Sequence, residues 1–123
     1  MTVRDNVRKI LFVDDEESIR YFVTYYFEKT GRQIVTAKDA ESALEFIDSE
    51  TWDVVFCDYG LPKMDGIEFL RQLGRRQPET LKILVTGHSK KDVVDKACRA
   101  GIDKTIEKPF TVNELAGCLS AKD

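Results

Sequence analysis

The strongest constraint in this sequence is an alternation. Short apolar runs are each followed, within a few residues, by a stretch with helical periodicity, five times over 123 residues. "KILFVDD" (Lys9–Asp15) is an apolar run that ends in acids. Ile19, Phe22, Val23, Tyr26 and Phe27 then fall at i, i+3, i+4, i+7 and i+8, which predicts one core-facing helix stripe, with Gly31 suited to its end. "QIVTA" (Gln33–Ala37) predicts a second strand, and Ala40, Ala43, Leu44 and Ile47 mark a second helix. "DVVFCD" (Asp53–Asp58) is a third strand, whose unbroken apolar run predicts burial on both faces. A helix from about Gly66 to Arg76 follows and ends ahead of Pro78. "LKILVT" (Leu81–Thr86) is the fourth strand; a helix from about Lys90 to Ala100 stops at Gly101. "DKTIEK" (Asp103–Lys108) is the fifth strand, Pro109 breaks the chain, and Val112, Leu115, Ala116 and Leu119 give the last helix. Alternating units of this kind predict an α/β fold, (βα)5, with a parallel sheet covered by helices on both faces.

With 42% hydrophobic residues the chain can bury one core without staples. A net charge of -3 gives no electrostatic case for nucleic acid, so no direct nucleic-acid partner is expected. No segment approaches the roughly 18 apolar residues of a membrane span. The opening "MTVRDNVRKI" lacks the apolar stretch of a signal peptide. A cytoplasmic chain without membrane contact is therefore expected. Cys57, Cys98 and Cys118 are far apart with no CxxC spacing, which predicts reduced thiols.

In open parallel sheets, ligands bind outside the carboxyl ends of the strands. Here the first strand ends in Asp14 and Asp15, the third in Asp58, the fourth in Thr86 and the fifth in Lys108, while Ala37 ends the second. If strands one, three, four and five are neighbours, three carboxylates, a hydroxyl and an ammonium converge on one rim. Two like charges about 4 Å apart repel by about 4 kcal/mol at an effective dielectric of about 20. Such a cluster needs cations or a retained proton. Lys108 supplies one charge, and a hard divalent ion such as Mg²⁺, held by carboxylates, waters and often a phosphate, supplies two more. Singly, each residue has a bland reading. Asp14 or Asp15 in "DEES" could cap a helix, as could Thr86, and Lys108 could be a solvated surface residue. Jointly they point to phosphoryl chemistry. In "VVFCDYGLPKMDG", Asp58 sits at a rigid strand end, Gly60 lets the backbone come close so that its carbonyl could face a metal, Pro62 fixes φ, and Gly66 frees the turn into the next helix. That is how a nucleophilic carboxylate would be presented.

These motifs, "FVDDEE", "CDYGLPKMDG", "LVTGHS" and "EKPF", resemble in combination the receiver domains of bacterial two-component response regulators of the chemotaxis-regulator type. The resemblance covers about residues 8–120 and implies a flavodoxin-like three-layer sandwich with sheet order 2-1-3-4-5. It implies a single receiver domain over residues 1–123, with no effector domain among them. Asp58 resembles the phosphoacceptor. Asp15 resembles a direct Mg²⁺ (or Mn²⁺) ligand with Asp14 beside it, and Asp58 and the Gly60 carbonyl complete the set. Thr86 resembles the switch hydroxyl and Lys108 the lysine that pairs with a phosphoryl oxygen; the Lys108–Pro109 bond is expected to be cis. The implied donor is a phosphohistidine on a sensor histidine kinase or histidine phosphotransfer domain. The implied function is a phosphorelay module that assists its own phosphorylation and dephosphorylation, not an enzyme turning over an external substrate.

Three positions depart from or qualify the pattern. Receivers often carry an aromatic residue where this chain has Thr105, so the usual ring-and-hydroxyl partnership with Thr86 is in question. Gly60 and the only histidine, His88, occupy loop positions that influence dephosphorylation in this family. The dense aromatic group Tyr21, Phe22, Tyr25, Tyr26 and Phe27 places Phe22, Tyr26 and Phe27 on the core stripe and Tyr21 and Tyr25 on another face, where rings could also dock a partner. Two other functions compete. A small Mg²⁺-dependent phosphatase of the haloacid-dehalogenase type would need D-x-D after the first strand and a cap insertion, whereas this chain has Asp14-Asp15 adjacent and no insertion. A pseudo-receiver binding module would not need the five-residue site.

Overall fold

The computed structural model describes residues 7–87 and 91–119. Five strands alternate with five helices: β1 (Lys9–Val13), α1 (Glu17–Lys29), β2 (Gln33–Ala37), α2 (Ala40–Ser49), β3 (Val54–Asp58), α3 (Gly66–Arg76), β4 (Leu81–Thr86), α4 (Lys91–Arg99), β5 (Lys104–Glu107) and α5 (Val112–Cys118). The strands form one sheet in the order β2-β1-β3-β4-β5, and every pairing is parallel. This is the flavodoxin-like arrangement predicted from the sequence.

Strand alternation explains the two cores. Ile10, Phe12, Val54, Phe56, Ile83 and Val85 face α1 and α5, where they meet Val23, Phe27 and Leu115. Leu11, Val13, Val55, Cys57 and Leu84 face the other way, onto Ala43, Ile47, Phe69, Leu70, Val93 and Ala97 of α2, α3 and α4. The central strands β3 and β4 are buried at every position, which is why their runs are unbroken. The three thiols are free; Cys57 and Cys118 are buried and Cys98 is exposed. Among the described residues no helix is long and apolar enough to cross a membrane.

The helix starts show where carboxylates are used. Asp39 caps α2 by accepting from Ser42 N at 2.8 Å, and Asp65 caps α3 by accepting from Glu68 N at 2.9 Å. Thr111 and Glu114 form a reciprocal capping box on α5. At α1 the N-cap is Glu16, with no side-chain cap bond. Neither Asp14 nor Asp15 is the N-cap of α1.

Several boundaries and one side chain differ from the sequence reading, among them the end of β1, which comes at Val13 ahead of Asp14 and Asp15. β3 starts at Val54, because the Asp53 carboxylate accepts from Arg8 N and Lys9 N, both at 2.9 Å. β5 starts at Lys104, because Asp103 accepts from Lys82 N at 2.8 Å. Lys108 lies just past the end of β5. Phe22, expected on the core stripe, is 40% exposed. Val23 and Phe27 are fully buried, while Phe22 meets the Phe110 ring at a centroid separation of 6.3 Å. His88, Lys90 and Ser120 lie outside the described residues.

Candidate functional site

The strand ends converge as the sequence predicts. Asp58 closes β3 in register with Val85. Asp14 follows β1, and its N–H continues the ladder to Ala37 O at 3.0 Å. Asp14 is fully buried and Asp58 nearly so, whereas Asp15 is exposed. Carboxylate oxygens of Asp14, Asp15 and Asp58 all lie within 4.8 Å of one another. Lys108 enters from the far edge. Its N–H donates to Thr86 O at 2.8 Å, which ties the lysine backbone to the end of β4, and the Lys108–Pro109 peptide is cis. Its Nζ donates to Glu16 Oε1 at 2.8 Å and lies 3.0 Å from Asp14 Oδ2 and 3.4 Å from Asp58 Oδ1.

One ammonium thus faces three carboxylates, Asp14, Glu16 and Asp58, and the titration of the cluster reflects it. Burial pushes Asp58 above the usual carboxylate range, and the neighbouring Asp14 adds to the rise; Lys108 opposes both. Burial likewise raises Asp14, against a hydrogen bond from Glu16 N and the charge of Lys108. Lys108 moves the other way. Burial works to lower it, but its bonds to Glu16 and the charges of Asp14 and Asp58 outweigh that and hold it above the ordinary lysine range. Asp14 Oδ1 accepts from Glu16 N at 2.9 Å. Asp14 Oδ2 has no hydrogen bond among the described residues, since Lys108 approaches it closely but off the hydrogen-bonding direction. A buried acceptor left without a donor costs about 1–3 kcal/mol. Three carboxylates with one unbonded buried oxygen are hard donors that fit a divalent metal ion.

The β3–α3 loop is shaped around Asp58. A Cβ on Gly60 would lie 3.9 Å from Asp58 Oδ2, so Gly60 sits beside the carboxylate. A Cβ on Gly66 would come within 2.4 Å of Asp58 O. Only glycine lets α3 start this close to the strand end, and the reason is backbone proximity, not an unusual φ. Lys63, between the two glycines, has φ 72, a left-handed conformation uncommon outside glycine, asparagine and aspartate.

Thr86 ends β4 and is almost fully buried. Thr105 is half-buried on β5, in register with Leu84. Leu84 and Thr86 point to the same side of β4 by strand alternation, so Thr105 and Thr86 share the face covered by α4. Glu16 was not singled out by the sequence reading, although it gives Lys108 its hydrogen bond. The signal was present as the third acid of "VDDEE", but nothing local tells which acid meets a lysine 92 residues away.

Known proteins share these features. The family model described as the response regulator receiver domain matches residues 10–120. The chain is 38% identical over 110 residues to the alkaline phosphatase synthesis transcriptional regulatory protein PhoP of Bacillus subtilis (strain 168), an alignment covering 88% of this chain and 45% of that protein. It therefore spans less than half of that relative's length. It is 30% identical over 125 residues to the probable chemotaxis protein CheY of Rhizobium etli, covering 98% of this chain and 95% of that one. The crystal structure of a CheY-like response regulator receiver domain protein from Methanospirillum hungatei JF-1 superposes with a TM-score of 0.89 at 29% identity, covering 95% of this chain and 94% of that one.

Proposed function

The chain belongs to the response regulator receiver domain family, a phosphoacceptor module of two-component signalling, and from that premise we propose that Asp58 takes the phosphoryl group. The observation that carries the reading is Lys108 Nζ, 3.4 Å from Asp58 Oδ1 on the rim where three carboxylates meet. Receiver domains are phosphorylated by histidine kinases or phosphotransfer proteins, so the donor is a phosphohistidine. A carboxylate oxygen of Asp58 attacks phosphorus while the donor's P–N bond breaks. The electron pair stays on the imidazole nitrogen, which takes up a proton. Hydrolysis reverses the state: water attacks phosphorus, the aspartyl P–O bond breaks, and phosphate leaves. The protein's own part is positioning and charge stabilisation.

Lys108 neutralises the approach of an anionic donor and pairs with a phosphoryl oxygen. To do so it must share or release Glu16, which makes Glu16 a positioning residue. Asp14, Asp15, Asp58 and the Gly60 carbonyl would hold Mg²⁺ or Mn²⁺, which when bound supplies positive charge against the phosphoryl oxygens. The charge added at Asp58 draws the Thr86 hydroxyl and biases the α4 side of the sheet between two states. With Thr105 in place of an aromatic ring, that change leaves the site through other side chains. His88 modulates access of water.

The test is intact mass after incubation with Mg²⁺ and acetyl phosphate, beside an Asp58→Asn control. One added phosphoryl group, missing from the control and from metal-free samples, is expected. If no adduct forms and beryllofluoride leaves the amide NMR spectrum unchanged, Asp58 is not the acceptor.

A further inference from the structure

Away from the strand-end rim, α3 and α4 leave a crevice of about 210 Å³ between them. Its lining includes Tyr59, Ile67 and Ala100, which give it an apolar side, and a set of charged side chains. Three cations, Arg71, Lys96 and Arg99, outnumber the two anions of that lining, Asp65 and Glu68. Asp65 accepts from Glu68 N at the α3 start, and Glu68 pairs with Arg71 and accepts from Gln72. Lys96 and Arg99, by contrast, are exposed and form no ion pair among the described residues. They stand three residues apart on α4 and share one helix face. A helix's last turn favours cations whatever else it does, so their residue types decide nothing alone. What that preference does not explain is an open crevice with an apolar side next to two unpaired cations, in a chain of net charge -3.

We infer that the α3–α4 crevice docks an acidic, amphipathic segment of a partner protein. Carboxylates of that segment meet Lys96 and Arg99, and an aliphatic side chain enters between Ile67, Ala100 and the Tyr59 ring. Charge complementarity sets the sign of the partner. The apolar side sets the need for aliphatic residues between its acids. Tyr59 directly follows Asp58, and its N–H is held by Val85 O at 2.8 Å. The crevice is therefore built on the same loop as the proposed acceptor, without using any residue of that site.

The experiment titrates the ¹⁵N-labelled full chain with a short synthetic peptide that alternates Glu with Leu, and with a control that alternates Lys with Leu. Amide shifts should concentrate at Tyr59, Arg71, Lys96 and Arg99 with the acidic peptide only, and should weaken as salt is raised. The double variant Lys96→Glu/Arg99→Glu should weaken binding about tenfold or more, while its phosphorylation by acetyl phosphate stays at the parent level. That last reading shows the variant is folded and separates this inference from the assignment of Asp58. Shifts mapping to the Tyr21–Tyr25 face of α1 instead, equal binding of the basic peptide, undiminished binding by the double variant, or no shifts at all would each overturn it.

Discussion

The two ends of the same sheet treat buried polar groups in opposite ways. At the amino end every buried side-chain polar atom among the described residues has a partner. The Gln77 side chain uses its full capacity: Oε1 accepts from Trp52 N at 3.0 Å and Thr80 Oγ1 at 2.9 Å, while Nε2 donates to Ile47 O and Glu50 O, both at 2.7 Å. Lys82, buried at the start of β4, donates to Thr80 O at 2.9 Å and faces one carboxylate, Asp103, at 3.6 Å. At the carboxyl end, Lys108 faces three carboxylates, and Asp14 Oδ2 has no hydrogen bond among the described residues. Each end holds a lysine, Lys82 buried and Lys108 half-buried. One is a satisfied joint, and the other is a site with charge still to be neutralised. A fold held by its amino end can leave the carboxyl end electrostatically incomplete, and clustered carboxylates of that kind call for a cation or a retained proton.

The comparison breaks most directly at Gln77. Gln77→Ala removes four hydrogen bonds that join α2, β3 and the α3–β4 turn, and should cost about 3 kcal/mol. Chemical denaturation measures that loss. The acetyl phosphate rate of the folded fraction should not change; if it falls, the two ends are coupled and the contrast is wrong.

At the other end, Lys108→Met should lower the rate of phosphorylation by about 100-fold, as removal of one preorganised donor does. The matching change at the amino end, Lys82→Met, should leave that rate at the parent value. A stopped-flow assay with acetyl phosphate distinguishes them, and equal losses would erase the difference between the two lysines.

Asp58→Asn should raise the unfolding midpoint by a few degrees at neutral pH. The sign follows from titration. Burial and Asp14 raise the Asp58 pKa in the fold, so the folded chain binds more protons than the unfolded one just above the ordinary carboxylate range. Native stability therefore falls as pH rises through that window. The advantage of the Asn variant should shrink on acidification, and also on adding Mg²⁺, which neutralises the native cluster. Melting curves at several pH values check both, and an Asn variant less stable than the parent would contradict a frustrated rim.

The smallest effect is expected at Lys63→Gly. Its left-handed φ is strained for lysine, and its Nζ lies 3.3 Å from Glu41 in an exposed pair that contributes little. Relief of strain, less the added freedom of the unfolded chain, should stabilise by about 0.5 kcal/mol. The change in melting midpoint reads it.

Much of this was legible before any coordinates. The ranges of β2, α3 and β4 follow from apolar runs and punctuation, because periodicity and capping are local properties of the chain. Three strand-end residues could be named for the same reason: Asp14, Asp58 and Thr86 each close an apolar run. Sequence alone also placed Gly66 at a turn, although the physical need is its approach to Asp58 O, which only packing reveals.

What the tertiary structure decided is how those residues are filled, covered and paired. Asp14 and Asp15 are neighbours of identical chemistry, yet one is sealed and the other is open to water: Asp14 still continues the β1 ladder to Ala37 O, and Asp15 follows it in the turn before α1. Phe22 matches the helical stripe and still lies exposed, while Val23 and Phe27 are fully buried. Glu16 meets Lys108, and α3 and α4 part to leave a crevice, through contacts between segments far apart in the chain. Periodicity is set by neighbours a few residues away; burial and charge contact are set by which elements close over them, and that is settled only when the sheet assembles.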